Sequence, residues 1–289
     1  MDRLTPHSSI EILDPHMTDA TQKRLASRYG HPDIAVPGNW SPILDQLLEH
    51  RSVRSFTDAP LPEGTLEALI AAAQSAASSS NLQVWSVVAV QSPERKARLS
   101  AFAGNQAHIR QAPLFLVWLA DLSRANRVGE REGVELAAVP YLESLLLGTI
   151  DAALAAQNAV VALESLGLGS VYIGAIRNDI EGVAKELELP PQVYPVFGLC
   201  VGYPSPERPA QVKPRLPQTA VLHHETYSLE AELPAIEAYD DRLGAFYQQE
   251  GMKASGWSEQ VVSRLRDVAN LHGREDLVGE LKRLGFGLR

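Results

Sequence analysis

Cysteine is nearly missing from this chain: Cys200 is the only one in 289 residues. No internal disulfide can form, and a reducing compartment fits that usage better than secretion. The start, Met1-Asp2-Arg3-Leu4-Thr5-Pro6, lacks an apolar stretch of signal-peptide length, so a cytoplasmic protein is expected. No long apolar run is present either. The longest, Ala112 to Ala120, ends at Asp121, far short of the ~20 residues that span a bilayer, and it reads as a buried strand; no membrane partner is expected. Excess positive charge is lacking as well. The formal net charge is -9, which argues against nucleic acid as a partner and requires any bound anion to be held locally.

Several catalytic signatures are missing too. There is no HExxH, CxxC or GxSxG string, and neither GxGxxG nor GxxxxGK[ST] spacing. His223-His224-Glu225 suggests a metal at first sight. Adjacent residues on an extended segment point to opposite faces, so a surface pair is the better reading and no metal is expected.

What is there is a globular chain, 45% hydrophobic, able to bury a sizeable core. Apolar spacing predicts helices over Thr18 to Tyr29, Pro42 to Glu49 and Leu66 to Ser75. A long Ala-rich helix is predicted over Leu142 to Leu166, closed by the glycines of Gly167-Leu168-Gly169. Further helices are predicted over Ile180 to Leu187, Ile236 to Gln249 and Glu259 to Leu271. Val84 to Val90 and Leu114 to Leu119, with a helix-and-loop segment between them, and Ser170 to Ile173 and Pro195 to Val201 read as strands. This alternation implies an α/β or α+β sandwich around one sheet. With no repeat and no sharp linker, the expectation is an N-terminal arm over 1–41 and one domain over 42–289, including a C-terminal extension.

Four places concentrate groups suited to a phosphorylated, planar ligand. In His50-Arg51-Ser52-Val53-Arg54-Ser55-Phe56 a helix ends in two arginines and two hydroxyls. Arginine's planar fork suits phosphate oxygens and ring carbonyls, although cations at a solvated helix C-terminus are also common. Gln74 to Gln83 crowds hydroxyls and amides before a strand, where they can donate to a ligand or satisfy their own turn. In Gly167 to Gly174 the last glycine admits close backbone approach, while a helix cap and a strand end explain the glycines equally well. Lys213-Pro214-Arg215-Leu216-Pro217 presents two cations on a restricted backbone, for a resident anion or as a surface turn.

Taken in order, seven strings carry a resemblance: HRSVRSF (50–56), AASSSNLQ (76–83), AGNQAHI (103–109), DAALAAQN (151–158), GLGSVYIGAIRN (167–178), FGLCVGYP (197–204) and VKPRLP (212–217). The chain from about Leu44 onward resembles the oxygen-insensitive nitroreductases and flavin reductases that bind FMN, in their NADPH-preferring major branch. The resemblance implies an α+β fold, a three-layer α/β/α sandwich with a central, mainly antiparallel sheet, in a homodimer with two FMN sites at the subunit interface. It implies that Arg51, Lys213 and Arg215 hold the FMN phosphate and that Arg54 lies near the pyrimidine edge, raising the reduction potential. By the same resemblance His50, Ser52, Val53, Ser78, Ser79, Ser80, Gln83 and Gln106 contribute to the cofactor site. Tyr172, Ile173 and Gly174 line the flavin, with the Gly174 N–H near N5. No side-chain acid or base is required. NADPH or NADH would reduce the flavin, and a small oxidant (nitroaromatic, quinone or free flavin) would reoxidise it in ping-pong order.

One segment departs from that pattern. Where the NADPH-preferring relatives are basic before a tryptophan, this chain reads Gln248-Gln249-Glu250-Gly251-Met252-Lys253-Ala254-Ser255-Gly256-Trp257. Glu250 would repel a 2'-phosphate and only Lys253 is positive there. Arg274 matches a basic position of the family that contacts donor or acceptor, and is equally readable as an exposed helix residue. The departure leaves room for a flavin carrier or sensor without turnover, or for a specialised reductase or dehalogenase on the same scaffold.

Overall fold

The computed structural model describes residues 15–32 and 34–289, with side chains from residue 19 onward. The Met1–Pro6 start and the rest of the expected arm up to residue 14 lie outside the described residues. Along the chain run α1 (Pro15–Tyr29), α2 (Pro42–Leu48), α3 (Thr65–Gln74), β1 (Trp85–Val90), α4 (Pro93–Phe102), α5 (Ala107–Gln111) and β2 (Leu114–Asp121). There follow α6 (Ser123–Glu132), α7 (Leu142–Ser165), β3 (Gly169–Ile173), α8 (Ile180–Glu186) and β4 (Val193–Gly202). The last helices are α9 (Glu232–Gln249), α10 (Trp257–Leu265) and α11 (Leu277–Arg283).

Contacts divide the chain into two units: Met1–Glu49 with Val212–Val261, and His50–Gln211 with Val262–Arg289. The second unit holds the sheet, whose strands are ordered β1-β2-β4-β3 with every neighbouring pair antiparallel. β2 is buried along its whole length, and this is why its sequence is a continuous apolar run rather than an alternating one. Leu114, Leu116 and Trp118 face a layer containing α3 and α7. Phe115, Val117 and Leu119 face the opposite layer, with Leu99, Ile109 and Val183 from α4, α5 and α8. The result is the expected helix/sheet/helix sandwich. Cys200 lies in that second cluster, fully buried.

Two local features explain how the layers fit. Pro195 cannot donate to a ladder, and it sits where the pairing of β2 with β4 shifts register between Trp118 and Leu119, a bulge being one of the few places a sheet interior tolerates proline. The neighbouring carbonyl of Val196 accepts from Arg177 Nη1 at 2.6 Å. α7 is long and apolar enough to cross a membrane by length and composition, yet it is the core helix of the sandwich. A Cβ on its Gly148 would stand 3.0 Å from Ala120 Cβ, so the glycine lets helix and sheet approach closely.

Most predicted elements are present with ends shifted by a few residues. The helix predicted over Glu259 to Leu271 instead stops at Leu265, and a separate 3-10 turn covers Val268–Leu271. Asp267 between them is extended, which breaks the helical run. α6 and α11 were not anticipated. The buried face of α6 consists of Ser123 and Gly129, so it has no apolar period to detect. α11 buries only Leu281.

The first unit contains α1, α2 and α9. Thr21 donates its hydroxyl to Asp45 Oδ1 at 2.9 Å, and Arg24 pairs with Glu49 at 2.5 Å. Leu25 of α1 and Tyr239 and Leu243 of α9 are buried there.

Candidate functional site

The serine-rich loop before β1 is held from beneath by one carboxylate. Asp151 of α7 is 2% exposed. Its Oδ2 accepts the Ser78 hydroxyl at 2.7 Å and the Val84 N–H at 3.2 Å, and its Oδ1 accepts the Ser79 N–H at 3.3 Å. The Ser78 oxygen in turn accepts the Gln83 N–H at 2.8 Å. The loop needs this anchoring because Ser80, Asn81 and Gln83 have φ of 49°, 55° and 51°, a left-handed conformation that costs non-glycine residues about 1 kcal/mol or more each. Ser79, Ser80 and Gln83 are left exposed at the surface of the loop. The Ser78 hydroxyl is already committed as donor to Asp151, so this residue shapes the loop.

The segment after His50 is stitched to β3. Val53 N–H donates to Ser170 O at 2.8 Å, and Ser52 bridges Ser170 in the parallel sense. A Cβ on Gly169 would stand 2.6 Å from Val53 Cγ2, so the glycine is required by this close approach. Two residues earlier, Gly167 at φ 74° closes α7. Val53 is buried while Arg51, Ser52 and Arg54 are exposed, so the alternation of an extended chain presents Ser52 and Arg54 outward. His50 Nδ1 lies 2.6 Å from Glu164 Oε1 near the end of α7.

Gln106 and His108 are brought together, with Arg54 near enough for its charge to act on the ring. His108 Nε2 lies 2.9 Å from Gln106 Oε1. Burial, with the nearby positive charge of Arg54, pushes the His108 pKa below its ordinary value, so the ring is neutral at pH 7 and leaves Arg54 the local positive charge. On β3, Tyr172 packs edge-on against Phe197 with ring centroids 5.1 Å apart, and its hydroxyl is 3.4 Å from Gln157 Oε1. Burial and the Glu164 charge push the Tyr172 phenol well up, so it stays protonated. Ile173 points into the core. Ile173 and Val53 therefore offer a ligand their backbone only, and Gly174 offers a backbone with space above it: the nearest atom to an added Cβ is an Arg177 nitrogen at 3.5 Å.

Lys213 and Arg215 belong to the first unit. Lys213 Nζ bonds the Tyr247 hydroxyl at 2.9 Å and stands 4.9 Å from that ring's centroid. Both cations line a cavity of about 500 Å³ with Arg28, Tyr239, Trp257 and Gln260. Glu250 caps α9 and Lys253 follows it in the loop, both exposed. Arg274, in the second unit, is half-buried with its Nε lacking a hydrogen-bond partner. Burial, then Arg177 and Arg264, push its pKa down. His223 stacks on Tyr227 at 4.1 Å and accepts the Ser228 N–H at 3.3 Å.

Three residues with evident roles escaped the sequence reading. Asp151 had a signal: a lone carboxylate midway through an Ala-rich apolar helix demands a buried partner set. His108 sits inside the AGNQAHI string without having been singled out. Arg28 had none, since nothing in α1 distinguishes it from Arg24.

An antiparallel sheet between two helical layers, with a strained hydroxyl loop and an arginine-bearing segment sewn to the edge strand, defines the nitroreductase type of α+β fold. The match is direct in sequence. Residues 47–203 match the Nitroreductase family and residues 213–289 match the Nitroreductase family, C-terminal domain. The chain belongs to the nitroreductase family. It is 41% identical over 239 residues to an FMN reductase [NAD(P)H] of Bacillus subtilis, covering 81% of this chain and 95% of that protein. It is 42% identical over 224 residues to an oxygen-insensitive NADPH nitroreductase of Salmonella typhimurium, covering 76% and 90%. The solved structure of the oxidoreductase YcnD from Bacillus subtilis superimposes with a TM-score of 0.81 at 38% identity, covering 86% of this chain and all of that one.

Proposed function

We propose that this protein is an FMN-dependent NAD(P)H oxidoreductase that reduces nitroaromatics, quinones or free flavins in a ping-pong cycle. The observation that carries the reading is that two of the strings resembling the family's flavin site are pinned by hydrogen bonds to the core: Ser78 to Gln83 by Asp151, and Ser52 to Arg54 by β3. Pre-organised donors of this kind bind a polar cofactor without further ordering cost. When bound, FMN supplies the two-electron exchange between nicotinamide and oxidant.

The protein's residues bind and orient. Ser79, Ser80, Gln83 and Gln106 serve ribityl or ring oxygens, and Ser78 and Val53 act through backbone and loop shape. Arg54, beside a neutral His108, stabilises negative charge at the pyrimidine edge. Tyr172, Ile173 and Gly174 bound the ring. Arg51, Lys213 and Arg215 are assigned to the phosphate, with His50 steadied by Glu164. Lys253 and Arg274 are assigned to the nicotinamide nucleotide or the acceptor. The site needs no metal.

We further propose a homodimer. Leu142, Leu146, Ile150 and Leu154 form an exposed apolar stripe at four-residue intervals on α7, each between 44% and 53% exposed, and such a stripe is costly to leave in water. Size-exclusion chromatography with light scattering checks it, a monomer counting against it. The cysteine usage supports a cytoplasmic location.

The deciding experiment is purification followed by stopped-flow mixing with NADH and with NADPH. The expected outcome is a yellow protein with about one FMN per chain, bleached rapidly by a nicotinamide and recoloured by a quinone. Colourless protein that takes up no FMN overturns the reading. Bound FMN that neither nucleotide bleaches replaces it with the carrier reading that Glu250 favours.

A further inference from the structure

Lys213-Pro214-Arg215 belongs to no helix or strand, so something else must fix where its two cations point. Tyr247 holds the Lys213 ammonium, and three hydrogen bonds from outside the segment fix its main chain. Arg28 Nη1 donates to Lys213 O at 3.1 Å, Arg215 N–H donates to Arg28 O at 2.8 Å, and Tyr239 donates its hydroxyl to Pro214 O at 2.8 Å. Two of the three come from one residue, through side chain and main chain together. Arg28 also donates from Nε at 3.1 Å and Nη2 at 2.7 Å to Leu48 O, the last residue of α2. Arg28 is 7% exposed, and each of its three side-chain nitrogens donates to a main-chain carbonyl.

We infer that Arg28 is a positioning residue for the phosphate-binding cations: it ties the Lys213–Arg215 segment to the end of α2 and holds both side chains against their cavity. Arg28 precedes both spans that match the family, which begin at residues 47 and 213, so the device belongs to the stretch of chain before them. With its nitrogens turned to carbonyls, Arg28 acts through Lys213 and Arg215. The geometry also explains why the position is arginine. A lysine ammonium is a point donor and cannot span two carbonyls as a planar fork does.

This inference rests on the reading that Lys213 and Arg215 hold the FMN phosphate, and its test separates the two. Full-length protein stripped of flavin is titrated with FMN and with riboflavin, which lacks the phosphate. Arg28→Ala and the milder Arg28→Lys should each weaken FMN binding about tenfold while riboflavin binding stays within about twofold, the loss expected when a charge-assisted contact is misplaced. Arg24→Ala, which loosens α1 from Glu49 and Asp45 without touching the cation segment, should leave the preference for FMN over riboflavin unchanged. Arg215→Ala should abolish much of that preference. If Arg215→Ala keeps the preference, the phosphate reading falls. If Arg215→Ala loses it while both Arg28 variants retain it, the positioning role falls. Parallel weakening of FMN and riboflavin in Arg28→Lys, or the same loss of preference in Arg24→Ala, reduces Arg28 to general structural support and also overturns the inference.

Discussion

The carboxylate of Asp151 receives the hydroxyl of Ser78 at 2.7 Å, and through that contact a core helix holds a loop with three residues in the left-handed region. Asp151→Ala would leave the Val84 and Ser79 N–H groups and the Ser78 hydroxyl without their acceptor. Each charge-assisted bond contributes ~1.5–3 kcal/mol, and water replaces part of the loss at the loop surface. A fall of about 2–4 kcal/mol in denaturant unfolding is expected, together with weaker FMN binding. Stability within about 0.5 kcal/mol of the parent would show that the loop does not depend on this carboxylate.

Gly169→Ala tests the seam between β3 and the Ser52–Arg54 segment. The added Cβ would meet Val53 Cγ2 at 2.6 Å, so the two chains must part, at a cost of about 1–3 kcal/mol typical of overpacking. Because Ser52 and Arg54 ride on the displaced segment, FMN affinity should drop with stability. Unchanged affinity in a destabilised protein would place those residues outside the site.

The sheet and its flanking helices were legible because β2 is uniformly apolar and α7 is long and Ala-rich, so period and length sufficed. The candidate site was legible in outline for a different reason: its strings occur in a family order. What could not be read were contacts between distant stretches. Nothing near Ser78 announces a partner 73 residues away, and nothing near Arg28 announces one 185 residues on. The packing of α6 on Ser123 and Gly129 was equally hidden, since small residues leave no hydrophobic period.

His108 makes stability depend on pH. Its folded pKa lies below its ordinary value because of burial and Arg54. Between the ordinary histidine pKa of about 6.5 and the lower folded value, the unfolded chain binds the proton and the folded one does not, so stability falls as pH is lowered through that window. Above it the contribution is constant. His108→Gln should flatten this part of the profile, measured by denaturant unfolding between pH 8 and 5. An unchanged slope would assign the pH dependence elsewhere.

Nucleotide choice should respond to Glu250. An exposed charge is worth up to about 1 kcal/mol, so Glu250→Arg should raise the NADPH-to-NADH ratio of kcat/KM by about fivefold. A ratio unmoved by this charge reversal would mean that the end of α9 does not meet the 2'-phosphate.

The single thiol of the chain lies on β4, on the face that packs against α4, α5 and α8, with burial pushing its pKa up and so keeping it protonated. Quinones and the partly reduced forms of nitroaromatics are soft electrophiles that seek out thiolates. Sealed and uncharged, the one sulfhydryl of the chain is shielded from alkylation by compounds of that kind.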